Sequence, residues 1–419
     1  MRISQIANKL REQIGHFSGE LSIGLPKVAG RFIREMLTGI QAGQTLRLTE
    51  TARNLEEGIP LKKTHERLCR QIGRVGLGEH IETALLRDGG KKIGEDTLLI
   101  LDLSDLCKKY AKNMEYMAQV RDGSENVIGD GYWTINIVGV ESEGQEIVPL
   151  ILRLYSQDAP DFLSENDEIL SAIKSVRDAA GDRGIWVIDR GGDRLKLFKP
   201  LLAADNRFII RLVGNRHLKY RGSKVLAGDL AKSCPMHYAE TIVREDSDGE
   251  KAVTVEFGYR KVRLPGSKKQ LYLVVVKGLG EHPLMLLTTE VMKKNRSTLW
   301  FVIGSYLTRW KIEETIRYIK TCYNLEDIRL LRYLALKNMM SLLLGAIYFN
   351  AVRLGTKIKL IVLARHVLVA SKRLFGIPDF RYYALSDGIR SILTRSPGSP
   401  LRIKRPPPSP QMELGLTYT

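Results

Sequence analysis

The run Thr97-Leu98-Leu99-Ile100-Leu101-Asp102-Leu103 places four large aliphatic residues in a row and sets an acid behind them. A short, unbroken apolar stretch of this kind reads as a strand buried on both faces. Gly184-Ile185-Trp186-Val187-Ile188-Asp189 repeats the pattern and runs into Arg190-Gly191-Gly192, a turn signal. Between them, Tyr132–Val140 and Glu146–Tyr155 alternate in polarity and are joined at Glu143-Gly144, which predicts a hairpin. Residues 163–179 carry helical spacing, Asp193–Leu201 suits a short helix, and Arg207–Leu212 suits another strand. The order β-β-β-α-β-α-β describes a mixed α/β layer: a three-stranded meander, then strands linked through helices.

On the N-terminal side, Ile3–Ile14, Val28–Ile40, Leu48–Leu55 and Lys63–Ile72 show apolar residues at three- and four-residue intervals and read as helices. Thr49 and Thr64 suit N-caps. The helix at Thr49–Leu55, the Gly58-Ile59-Pro60 turn and the helix bearing Lys62, Lys63, Arg67 and Arg70 suit either a helix-turn-helix or a helical bundle with a basic surface. On the C-terminal side, residues 214–290 hold strand-like segments separated by Gly, Asp and Pro turns, an all-β insertion. Helix is expected from about residue 299 to 375.

The chain has 419 residues and a net charge of +18, from 65 Lys and Arg against 47 acids. A polyanionic partner follows, nucleic acid first and an anionic membrane surface second. Residues 331–410 contain only two acids, Asp379 and Asp387, among many Lys and Arg, so a phosphate surface is expected there. The tail Arg405-Pro406-Pro407-Pro408-Ser409-Pro410 reads as disordered or polyproline-like. The scattered cysteines, Cys69, Cys107, Cys234 and Cys322, form no framework, and the Cys234/His237 pair lacks two further zinc ligands. Met1-Arg2-Ile3-Ser4-Gln5 opens no signal peptide, and the apolar run around Met339–Val352 is too short to span a bilayer and reads as a buried helix, so a cytoplasmic location is expected.

One further run carries chemistry: Tyr306-x2-Arg309-x3-Glu313-x6-Lys320. Steps of three, four and seven residues put all four side chains on one face of one helix. A carboxylate there can hold a divalent metal, and Arg and Lys can hold phosphate oxygens. Asp102 and Asp189, each closing a core strand, add two carboxylates at the sheet edge where open α/β sheets bind ligands. Structural roles compete for each acid: Asp189 suits a turn cap before Gly191-Gly192, Asp102 suits the N-cap of a helix over Ser104–Met117, and the Arg309–Glu313 spacing suits a solvated ion pair.

Asp102, Asp189 and the Tyr306/Arg309/Glu313/Lys320 pattern, with the wording Asp189-Arg190-Gly191 and Arg309-Trp310-x-Ile312-Glu313-Glu314, resemble bacterial insertion-sequence transposases of the DDE class, in the branch with a YREK signature. The likeness covers roughly residues 45–350. It implies an RNase H-like catalytic core with an all-β insertion, flanked by helical N- and C-terminal regions. The implied division is a helical DNA-binding domain at 1–90, the core at 95–213 and 291–350, the insertion at 214–290, and a basic helical region with a Pro-rich tail at 351–419. It implies catalysis and metal binding by Asp102, Asp189 and Glu313, with Asp105 in reserve for the first acid. Two Mg2+ ions, or Mn2+ in their place, are the implied cofactors. DNA phosphates would be held by Tyr306, Arg309 and Lys320. The implied partner is double-stranded DNA, both element ends and target, bound by a dimer in the synaptic complex, with no membrane. Some relatives stack a flipped base on a Trp of the insertion. This insertion has none, which leaves Tyr220, Tyr238, Phe257, Tyr259 or Tyr272 for that face. Two other readings stand beside transposition: a DNA-binding protein without catalysis, and an RNase H-like nuclease that cuts without joining.

Overall fold

The computed structural model describes residues 2–123, 125–141, 146–246, 249–293, 295–370 and 381–398. Five helices come first: α1 (Ile3–Leu21), α2 (Lys27–Gly43), α3 (Leu48–Asn54), α4 (Leu61–Ile72) and α5 (Leu77–Gly89). Pro26 and Pro60 stand immediately before α2 and α4, where a fixed φ costs nothing and no donor is lost. Thr49 and Thr64 lie inside α3 and α4 rather than at their caps. Thr64 Oγ1 instead donates to Glu57 Oε2 at 2.8 Å. Arg67 does not face solvent. Its guanidinium sits 2.7 Å from Glu57 and 3.1 Å from Glu35, which fastens α4 to α2. α5 adds a fifth helix to the four expected segments of this helical region.

The described strands build one ten-stranded sheet and one small hairpin. The sheet contains β1 (Leu98–Cys107), β2 (Ala118–Arg121), β3 (Ile128–Val140), β4 (Ile147–Tyr155), β5 (Ile185–Ile188) and β6 (Arg207–Arg211). The hairpin is β7 (His217–Tyr220) with β8 (Ser223–Leu226). The sheet continues through β9 (Tyr238–Asp246), β10 (Gly249–Val262), β11 (Leu271–Lys277) and β12 (Leu284–Thr288). Its order is β2-β3-β1-β5-β6-β12-β11-β10-β9, with β4 also on β3. β1, β3 and β4 form the expected meander, and β5 and β6 run parallel to β1. Helices α6 (Glu165–Ala180) and α7 (Leu195–Ala203) make the two crossovers. Mixed α/β architecture with helical flanks is therefore the fold class, as the sequence indicated.

Alternation explains how both faces are buried. Leu98, Ile100, Ile185 and Val187 belong to one hydrophobic core, while Leu99, Leu101, Trp186 and Ile188 belong to the other. Gly184 leads into β5 at φ +96°, with Leu99 Cδ1 2.8 Å from where a Cβ would stand. Only glycine fits that entry.

Two expectations change. The segment from Ser104 forms no helix, because β1 runs on to Cys107, paired residue by residue with Gly131–Asn136 of β3. Asp102 is thus in mid-strand, beyond the end of β5. The 214–290 stretch is also not all β. Its strands β9–β12 extend the main sheet through the β12–β6 pairing, and it holds a short helix, α8 (Ala227–Lys232).

Helices α9 (Arg296–Leu307), α10 (Trp310–Cys322), α11 (Tyr333–Tyr348), α12 (Thr356–Ala370) and α13 (Tyr382–Arg395) follow. With the π-turn after it, α11 is long and apolar enough to cross a membrane, but 89% of its most apolar window is buried inside the protein. It is the central core helix, packed on α5, α2 and β4. The Glu143-Gly144 turn, Lys372, Arg373, Asp379, Arg402, Lys404, Arg405 and the Pro-rich tail lie outside the described residues.

Candidate active site

Leu101 pairs with Ile188 in the parallel β1–β5 ladder, so Asp102, next on β1, and Asp189, just past the end of β5, directly follow that pair. Alternation turns both toward the face that carries Ile100 and Val187. Asp189 also does what a turn cap does: its Oδ1 accepts the Gly191 N–H at 2.7 Å. That bond leaves its second oxygen available.

The third acid arrives by a route the sequence did not show. The Tyr306–Lys320 run is two helices, not one. Arg309 N–H donates to Tyr306 O at 3.0 Å and Lys311 N–H to Thr308 O at 3.1 Å, a tight turn that ends α9 and starts α10. Tyr306 is on α9, buried at 6% exposure, and the Arg309 guanidinium lies 5.8 Å from its ring centroid. From that ledge Arg309 Nη1 reaches Asp102 Oδ2 at 3.2 Å, and Nη2 donates to Glu313 Oε1 on the first turn of α10.

Burial, then the charge of Asp189, pushes Asp102 up to about 7. Arg309 and the Leu103 N–H pull the other way, and Glu313 adds to the rise. Burial lowers the Arg309 pKa, but Tyr306, Asp102 and Glu313 outweigh it and the net shift is upward. Arg309 thus joins two carboxylates, Asp102 and Glu313, and the charge of Asp189, just past the end of β5, acts on Asp102.

Lys320 does not share this cluster. Two turns further along α10, its Nζ lies 2.9 Å from Asp105 Oδ2 and 3.8 Å from Glu326. Asp105 belongs to a second group. Ligand atoms of Asp105, Cys107 and Asp122 lie within 4.8 Å of one another. Burial, then Asp105, pushes the Cys107 thiol up to about 12, so it stays protonated and donates to Asp105 at 3.4 Å. Asp105 is thereby the partner of Lys320, apart from the Asp102 group. No spacing in the sequence announced this, since Asp122 reaches Asp105 only through the turn after β2.

The aromatic candidates for base stacking divide. Phe257 is fully buried between Tyr238 (5.9 Å) and Trp300 (5.6 Å), and Tyr272 is buried at 7% exposure. Tyr220 lies beside Arg221 and Arg260. Trp310, next to Arg309, is 46% exposed.

The sequence matches no known protein-family profile and no curated protein. Among solved structures, the chain is similar to a piggyBac transposase determined as a synaptic complex with hairpin DNA, at 12% identity and a TM-score of 0.39. The match covers 82% of this chain and 59% of the piggyBac chain, so this protein spans less than two thirds of that length.

Proposed function

We propose that the chain is a DNA transposase of the DDE class: it hydrolyses a phosphodiester at each end of its element and joins the freed 3'-OH to target DNA. The observation that carries this reading is that Arg309 joins Asp102 to Glu313, while Asp189, from a third element, lies near enough to Asp102 for its charge to act on it. The strand order β4-β3-β1-β5-β6, with β3 antiparallel, supports an RNase H-like core.

The donor set fits the expected metal. All three groups are carboxylates, the oxygen ligands Mg2+ prefers, and their mutual repulsion asks for more positive charge than Arg309 supplies. Asp102, Asp189 and Glu313 would hold the Mg2+, which when bound activates the attacking water or 3'-OH and stabilises the departing oxygen. The remaining roles belong to the chain. Arg309 sits where it can exchange Asp102 for a phosphate oxygen of the scissile strand, using the same planar fork. Tyr306 supports Arg309 from beneath. Lys320, held by Asp105, meets the backbone further along the groove. The net charge of +18 suits duplex DNA as partner, with two copies of the chain pairing two ends in the cytoplasm.

The test is a strand-transfer assay with Mg2+ and pre-cleaved ends, taken from the DNA that flanks the coding sequence. Joined product supports transposition. Cutting without joining indicates a nuclease, and a gel shift without turnover indicates a DNA-binding protein that has lost catalysis.

A further inference from the structure

The hairpin β7–β8 rises from the same sheet edge as the acids. β6 runs parallel to β5, with Ile210 beside Ile188, so the chain leaves the sheet after Arg211 at the edge where Asp189 stands. Its root is clamped there. Asp193, four residues after Asp189, accepts from the Val213 N–H at 2.7 Å and from Arg216 Nε, while Arg216 Nη2 donates to the Asp193 carbonyl at 2.6 Å.

The hairpin carries an unrelieved row of positive charge. Lys219 is paired directly with Lys224 across the hairpin, and Lys219 bridges Arg263 on its other side. Residues directly opposite in a ladder share a face, so Lys224, Lys219 and Arg263 form a line of three cations about 4.8 Å apart from strand to strand. All three are exposed, and among the described residues none forms an ion pair. Like charges directly opposite work against the fold. At the turn, Arg221 takes φ +47° and Gly222 φ +89°, the two positive values of a tight primed turn, with arginine where Asn, Asp or Gly is usual. Arg221 and Arg260 both lie 5.3 Å from the Tyr220 ring, and Arg260 Nη1 donates to its hydroxyl at 2.9 Å, which stiffens the ribbon.

We infer that this row is a second phosphate-binding surface, which grips the backbone of duplex DNA beside the catalytic cluster and independently of it. The inference rests on the transposase reading for its partner. A row of cations held together against their own repulsion suits an evenly spaced polyanion, and the Arg216–Asp193 clamp fixes the row relative to Asp189.

The test uses the full chain and a 40-base-pair duplex, with binding followed by fluorescence anisotropy across a salt series. The triple variant Lys219→Ala, Lys224→Ala, Arg263→Ala is expected to lower the slope of log affinity against log salt by about two to three, near 0.9 per lost phosphate contact. It should also bind at least tenfold more weakly at 0.1 M salt and melt no lower than the unmodified chain, because repulsion is relieved. A variant that binds with the unmodified slope and affinity overturns the inference and leaves the transposase reading intact. So does one that loses anionic vesicles but not DNA. Absence of duplex binding by the unmodified chain, at any salt, overturns both. Glu313→Gln, which alters the acid cluster alone, should keep the full salt slope.

Discussion

Arg309 and Asp102, 207 positions apart in the chain, meet at 3.2 Å, and the same guanidinium holds Glu313. In the free protein, then, the Arg309 guanidinium stands between two of the acids proposed to hold the metal. Arg309→Ala should bind Mn2+ more tightly without DNA, by roughly three- to tenfold, the size of a partly buried ion pair. It should also lose about 10²–10³ in cleavage rate, as when one fixed donor to a developing charge is removed. Electron paramagnetic resonance of Mn2+ reads the first effect. Equal Mn2+ affinity in both proteins would show that Arg309 does not compete for the seat.

Glu313→Gln keeps size and polarity and removes the charge. Cleavage should drop by about 10³ or more, while affinity for duplex DNA stays within about twofold. Cleavage retained near the original rate would take Glu313 out of the site.

A buried polar knot anchors the far end of α10. Asn350, fully buried, donates to Tyr323 OH at 3.1 Å and Ser386 Oγ at 3.1 Å and accepts from Gln41 at 2.9 Å, while Tyr318 OH lies 3.0 Å from Tyr323 OH. Asn350→Leu would strand several of these groups away from water. The expected loss is about 2–3 kcal/mol of stability, read by denaturant unfolding. A loss below about 0.5 kcal/mol would mean that the knot closes around the apolar side chain.

Lys108 gives a pH dependence. Its Nζ is buried and donates to the carbonyls of Glu326 and Ile328, the latter at 2.6 Å. Burial lowers its pKa from 10.5 to about 8, against the pull of Asp327 and Glu326. Between those values the unfolded chain binds a proton that the folded chain does not, so stability rises with pH through that window. The cost is present in full below pH 8. The rise attributable to Lys108 is at most about 3 kcal/mol. Unfolding curves across this range should show a shallower slope for Lys108→Met. Parallel slopes would mean that the lysine keeps its proton when folded.

Much of the fold could be read from apolar runs. Leu98–Leu101 and Ile185–Ile188 are buried on both faces, and continuous aliphatic stretches admit little else. Other features depended on distant partners. From Leu103 to Cys107 the apolar residues fall at i, i+3 and i+4 and suit a helix locally, yet pairing with Gly131–Ile135 holds them as strand. The break between α9 and α10 contains neither glycine nor proline, so spacing alone suggested one continuous face. Arg309 and Glu313, four residues apart, meet as that spacing suggests, while Lys320, grouped with them by spacing, is held by Asp105. The strands at 238–288 were legible as strands. Their place in the main sheet was not, because it depends on Leu286–Thr288 meeting Ile209–Arg211.

That last pairing has a consequence for engineering. Residues 214–290 cannot be excised like a detachable module, because β12 covers the flank of β6. A shortened protein would present bare N–H and C=O groups along Ile209–Arg211 and would self-associate through them.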